Sequence, residues 1–223
     1  MVSKLRARKQ QDKEARREQI LAGALELSQQ VGFAEFTMTA LAARLGLAKG
    51  TLYLYFQTKE ELFLTLYERL LGEWFDALEA ELNAEGAWDS IRMAWVLRQT
   101  LESRPQLTRL LVLVEGILEH NISLERARQY KGWLAQRVQQ AGALIERRLA
   151  YLSAGEGTRA LVFTQALVAG LHQMSHPAPV VAQVLAQPEF AALRVEFGPA
   201  LERALEALLR GLKPRLSRSA EIG

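Results

Sequence analysis

The chain has 223 residues, no cysteine, 49% apolar residues and a net charge of +3. That length holds one large domain, or a small one beside a larger one, with apolar content outside the disordered range. The lack of cysteine excludes a disulfide framework and thiolate metal sites. It is also compatible with a reducing cytoplasm, the expected location. The first residues lack the apolar stretch of a signal peptide. The longest apolar runs, near 110–118 and 160–171, are interrupted and too short to span a bilayer, so no membrane partner is expected.

The chain opens on a basic arm, residues 1–17, where Lys4, Arg6, Arg8, Lys9, Lys13, Arg16 and Arg17 face only Asp12 and Glu14. Residues 1–60 hold ten Lys/Arg against six Asp/Glu, whereas residues 61–223 hold eighteen against nineteen. Such an arm suits phosphates or a minor groove, and a solvated extension is the other reading. The first helix is predicted from about Lys13 to Val31, with Ile20, Ala24, Leu27 and Val31 on one side, ending at Gly32.

Two short helices joined by a tight turn follow. Thr37 is placed to cap the first of them, whose inward residues are Leu41, Ala42 and Leu45. Gly46 stands where a chain leaving a helix often needs a left-handed backbone, and Leu47 plugs the turn. The next helix begins near Ala48–Lys49. Leu52, Tyr55 and Phe56 share its inner side, while Lys49, Thr51 and Tyr53 point outward and Gly50 leaves the backbone uncovered. Thr58 and Glu61 form a capping box that starts a long helix over 59–82. An apolar first helix, a turn with glycine and a second helix presenting polar groups are what a helix-turn-helix requires.

The remainder reads as helix. Asn83–Gly86 ends the long helix, and further helices are predicted at 88–103, 106–119, 123–151, 156–174 and 198–212. A short helix around 180–187 precedes Pro188. No strand-period alternation persists, so the fold class is all-α, with a three-helix N-terminal head and a larger helical body. The expected division is an arm at 1–17, a helix-turn-helix domain at 18–62, a ligand-binding and dimerisation body at 63–212 and a flexible tail at 213–223. The last helix carries Leu201, Ala204, Leu205, Leu208 and Leu212 on one side. The helix at 156–174 is nearly apolar all round, with small Ala160, Ala166, Ala169 and Gly170. Two such helices from each of two protomers would make a four-helix interface, and packing inside one protomer gives the same sequence pattern.

Residues 15–65 resemble the DNA-binding region of the tetracycline-repressor (TetR) family of bacterial regulators. The matching residues are Thr37, Leu41-Ala42, Gly46, Lys49-Gly50-Thr51-Leu52-Tyr53, Tyr55-Phe56 and Lys59-Glu60-Glu61-Leu62. Two residues depart from that pattern: Ala48 stands where a capping Ser is common, and Leu54 replaces a polar or aromatic residue and is left unassigned. The resemblance implies phosphate contacts from Thr37, Tyr55 and Lys59. It implies major-groove contacts from Thr39, Lys49, Thr51 and Tyr53, with Gly50 admitting the DNA backbone. For Tyr55, more than for Lys49 or Lys59, the other reading is a mostly core side chain with only its hydroxyl reaching out. The resemblance further implies a homodimer on a palindromic double-stranded operator, and a repressor released by a small apolar effector.

An effector site belongs in the body, where pockets are mostly apolar with a few polar anchors. Trp95, Glu115, Trp133, Phe163, Gln165 and His172 are the candidate lining residues. Glu115, within an apolar run, either pairs with Arg109 or Arg159 or meets the ligand. The histidines His120, His172 and His176 lack metalloprotease spacing, and no G-x-S-x-G, Walker or G-x-G-x-x-G stretch occurs. No enzyme, cofactor or metal is expected, since His172 and His176 lie i, i+4 but Pro177 follows and no third ligand is evident. The rival reading, favoured by Ala48 and Leu54, is a helical ligand-binding or scaffold protein with a degenerate head.

Overall fold

The structure, a computed structural model, describes the backbone of residues 2–114 and 116–212 and the side chains of residues 10–114 and 116–212. Glu115, the 213–223 tail and the side chains of Lys4, Arg6, Arg8 and Lys9 lie outside the described residues. Among the described residues every regular element is helical. The chain divides into two compact units. One is the stretch up to Arg69 together with Leu113–Ala127, and the other is Leu70–Val112 with the chain from Arg128 onward.

The first unit begins with α1 (Val2–Glu35), interrupted at Gly32, whose φ of 71° is left-handed. The sequence places the helix start near Lys13, but the helix begins at Val2, so residues expected as an arm are helical. That stretch holds no proline or glycine to interrupt the helix. α2 (Met38–Leu45) starts where expected: the Thr37 hydroxyl accepts a bond from the Ala40 amide at 3.1 Å. It ends on Gly46 at φ 63°, and the Gly46 and Leu47 amides close the last turn onto Ala43 and Ala42 carbonyls.

α3 (Lys49–Tyr53) ends before Tyr55 and Phe56, which the sequence places on its inner side, because Leu54 is already its C-cap. The Tyr55 and Phe56 amides still bond to the Leu52 carbonyl, at 2.9 and 3.0 Å, so the chain keeps winding for one more turn. α4 (Lys59–Asn83) starts on the expected box. The Thr58 hydroxyl accepts from the Glu61 amide at 3.0 Å, and the Glu61 carboxylate accepts from the Gln57 amide at 2.9 Å.

The core of this unit is Ile20, Ala24, Phe36, Leu41, Leu52, Phe56, Leu62 and Phe63, each at most 1% exposed. Phe33 and Phe36 meet Phe63 edge-on, with ring centroids 4.9 and 4.7 Å apart. Ion pairs Arg44–Glu26 at 2.9 Å and Arg69–Glu18 at 3.1 Å brace α1 from outside. Segment 113–127 joins through a bond from the Thr58 hydroxyl to the Asn121 carbonyl at 3.2 Å. Arg126 adds a forked pair to Glu68, one arm of which measures 2.9 Å.

The second unit takes the rest of α4 and then α5 (Ser90–Glu102), capped by the Asp89 carboxylate, which accepts from the Arg92 amide at 2.8 Å. α6 (Pro105–Val114) stops five residues before the predicted end at 119. A turn at 116–117 and a 3₁₀ turn, Leu118–Asn121, replace the missing part. α7 (Leu124–Arg148) and α8 (Glu156–Ser175) cross closely: a Cβ on Gly157 would sit 2.1 Å from the Gly142 carbonyl oxygen. α9 (Pro179–Leu185) is followed by a second 3₁₀ turn, Pro188–Leu193. Arg194 donates to the Ala186 and Gln187 carbonyls at 2.7 and 3.0 Å.

α10 (Phe197–Gly211) lies against α5 and α8, with Leu201, Leu205 and Leu209 at 0% exposure. Ala204, Leu208 and Leu212, on the side expected to face a second protomer, are only half-buried, so this part of the leucine face is not filled by α5 and α8. The α8 helix is also not enclosed all round, because Val162, Phe163, Ala166, Gly170 and Met174 form an exposed apolar stripe.

Candidate nucleic-acid interface

In the first unit, α3 is held from behind by Leu52 and Phe56, both 0% exposed. Its outer side carries Lys49, Gly50 and Tyr53, all exposed, with the Lys49 ammonium 5.9 Å from the Tyr53 ring centre. Thr51 and Tyr55 are half-buried, so they reach the surface only in part. A Cβ on Gly50 would meet nothing within 4 Å and the residue has no left-handed φ, so nothing inside the protein demands glycine there. Thr37 and Thr39 are exposed at the start of α2. The Thr37 oxygen accepts from Ala40, which leaves its hydroxyl proton available to a phosphate.

Lys59 sits differently from expectation. It is half-buried, its ammonium donates to the Phe33 carbonyl at 3.1 Å and lies 4.2 Å from the Phe33 ring centre. Phe33 follows the break at Gly32, where backbone carbonyls lose their helical partners. Lys59 thus ties the end of α1 to the start of α4 rather than facing outward. Ala48 provides no side-chain cap for α3.

In the second unit the candidate ligand residues do not share one setting. Trp95 and Phe163 are 45% and 44% exposed, which does not fit an enclosed lining. Trp133 and Gln165 are half-buried, and the Trp133 ring lies 3.7 Å from where a Cβ on Gly72 would stand. His172 and His176 stack, centroids 4.2 Å apart and planes 14° apart, and His176 Nδ1 lies 2.9 Å from the His172 carbonyl. Burial, then the neighbouring His176 and Arg109, lower the His172 pKa to about 4, so the ring is neutral at physiological pH. Parallel stacking does not aim the two imidazoles at a common metal.

Residues 20–66 match the family model for bacterial regulatory proteins of the tetR family, and residues 68–215 match that for the tetracyclin repressor-like C-terminal domain. The chain belongs to the TetR family. The fatty acid metabolism regulator protein of Bacillus subtilis is 29% identical over 65 residues, 29% of this chain and 34% of that protein. The chain thus spans about a third of the length of this curated relative. Among solved structures, a TetR/AcrR-family regulator from Thermobifida fusca superimposes with a TM-score of 0.56 at 18% identity. That match covers 90% of this chain and 100% of the other. The regulator FadR from Bacillus subtilis, in complex with stearoyl-CoA, gives 0.52 at 18% identity, covering 87% and 98%. At these identities the structures show the shared fold, a helix-turn-helix head and a helical body.

Within this TetR head, sequence reasoning missed two features. Leu54 is 80% exposed, and with Tyr55 it lines an open groove of about 340 Å³ whose other wall is α1. Lys13 and Arg17 stand in that wall, one helical turn apart on α1. In the TetR body, the Trp74 indole donates to the buried Thr100 hydroxyl at 3.1 Å, a pairing across 26 residues that no local pattern announces.

Proposed function

We propose that this TetR-family chain is a homodimeric transcriptional regulator. It reads a palindromic operator through α2 and α3 and releases it when an apolar ligand occupies the body. The observation that carries the reading is the outer side of α3: a lysine, a bare glycine and a tyrosine, backed by fully buried Leu52 and Phe56. Lys49 suits guanine acceptors, and Tyr53 and Thr39 suit thymine methyls or base edges. Thr37 supplies a phosphate contact at the edge of the head, and Tyr55 adds one through its hydroxyl. Lys59 acts structurally, through Phe33.

The exposed α8 stripe supports dimerisation, since Val162, Phe163 and Met174 are each more than 40% exposed beside small Ala166 and Gly170. A two-fold dimer places equivalent half-sites about 34–36 Å apart or a multiple of it. The relative named for fatty acid metabolism and the relative solved with stearoyl-CoA favour a long-chain acyl thioester as effector. An effector shifts the equilibrium only by its differential affinity for the two states, typically about 5–150-fold. These partners place the protein with the chromosome in the bacterial cytoplasm.

The test is fluorescence polarisation on duplex DNA selected from a randomised pool by the full chain, across a salt series, with and without stearoyl-CoA. The expected result is nanomolar, salt-sensitive binding to a palindrome, weakened by stearoyl-CoA but not by coenzyme A. Binding that ignores sequence would instead favour the scaffold reading, for which the uncapped Ala48 speaks.

A further inference from the structure

The side chain at the exit of α3 has no job inside the protein. Leu54 is the C-cap of α3 and 80% exposed, while Leu52 and Phe56 on either side of it are at 0%. It follows Gly50 by four residues and so extends the same exposed side. With Tyr55 it forms one wall of the 340 Å³ groove, and Gln10, Lys13, Glu14 and Arg17 of α1 form the other.

Three of those α1 side chains are already engaged. Gln10 donates to the Glu14 carboxylate at 2.6 Å, and the Arg17 guanidinium lies 5.0 Å from the Phe56 ring centre. Lys13 has no carboxylate partner among the described residues. An exposed aliphatic side chain thus shares a groove with the exposed Lys13, and Lys49 is exposed on the same short helix. That charge setting suits a polyanion and argues against an apolar protein partner.

We propose that Leu54 reads a thymine in the operator, packing on its 5-methyl group in the major groove, while Lys13 holds a phosphate of the same strand. The inference rests on the DNA-regulator reading above and adds a specificity residue to it. Leucine has no hydrogen-bonding group, and the thymine methyl is the apolar feature that a major groove offers. A single exposed leucine is ordinary on a protein surface. This one is set apart by its place on the base-reading element beside a cationic groove.

The experiment uses the full chain and the duplex it selects from a randomised pool. Each thymine is replaced in turn by deoxyuridine, which removes only the methyl group, and affinity is read by fluorescence polarisation for the wild type and for Leu54→Ala. The wild type should lose about fourfold at one thymine of each half-site, the ratio expected for one buried methyl group. Leu54→Ala should bind the thymine duplex more weakly and show no further loss at that position, while keeping the wild-type response elsewhere. Its melting temperature should be unchanged, because the side chain is exposed. Lys13→Ala should weaken every duplex alike and lower the salt slope by about one. A Leu54→Ala protein that responds to every substitution as the wild type does overturns the proposal. So does a wild type indifferent to all thymine methyls, which leaves the DNA reading intact. A wild type that selects no duplex overturns both.

Discussion

The head and the body each leave one helix face uncovered, and the two faces differ in kind. On α3 the exposed residues are Lys49, Gly50, Tyr53 and Leu54, a few side chains around a positive charge. On α8 they are mostly apolar, Val162, Phe163, Ala166, Gly170 and Met174, with Arg159 and Gln173 beside them. Some of the body's cations are paired within the unit: Arg137 meets Asp76 at 2.6 Å and Arg98 meets Glu202 at 2.6 Å. The difference indicates the partner each face suits. The first fits a polyanion met side chain by side chain, and the second a matching apolar surface that buries it.

The largest effect should come from breaking the apolar face. Phe163→Asp places a carboxylate where the dimer is proposed to close, and an unpaired buried charge costs about 3–5 kcal/mol. Light scattering should then show a monomer, and operator affinity should fall by two orders of magnitude or more. A variant that remains dimeric would move the interface off α8. Next in size is Leu52→Ala, which hollows the support behind α3. It should lower stability by about 2–5 kcal/mol in denaturant melts, because the side chain is fully buried.

Lys49→Ala should leave the melt unchanged and cost about 1–3 kcal/mol of discrimination at one base pair of each half-site. Equal weakening on all sequences would make Lys49 a phosphate contact instead. A further effect is that of pH on the body, reduced by solvent because His172 is only half-buried. The His172 pKa lies at about 4 against an ordinary 6.5, so the unfolded chain binds this proton first as pH falls. Stability should decline from about pH 6.5 down to about pH 4 and gain no further loss from this group below that. His172→Gln should flatten this part of the melting-temperature profile, and an unchanged profile would remove His172 as its cause.

The head was legible in the sequence because its signals are local. Thr37, Gly46 and the Thr58–Glu61 box each act within four residues, and each appears where the pattern placed it. What escaped depends on distance or on neighbours. Lys59 reads as an outward cation at a helix start, yet its acceptor is the carbonyl of Phe33, 26 residues earlier. On α10 the periodicity does not tell Leu201, Leu205 and Leu209, covered within the protomer, from Leu208 and Leu212, which stay half-buried. α6 ends at Val114 although its apolar run continues, because periodicity does not show where a chain turns to join another unit. Leu54 breaks the polar pattern of its surroundings, and only its place in the fold shows that it faces outward.

The contact between α3 and DNA is tested most directly by Gly50→Ala, with stability and operator affinity measured on the same preparation. The added methyl meets no atom of the protein, and alanine is favoured over glycine in a helix by about 1 kcal/mol. The account predicts a melting temperature equal to or above that of the wild type, together with operator binding at least tenfold weaker. Unchanged binding by a stably folded Gly50→Ala protein would contradict the claim that α3 lies against DNA.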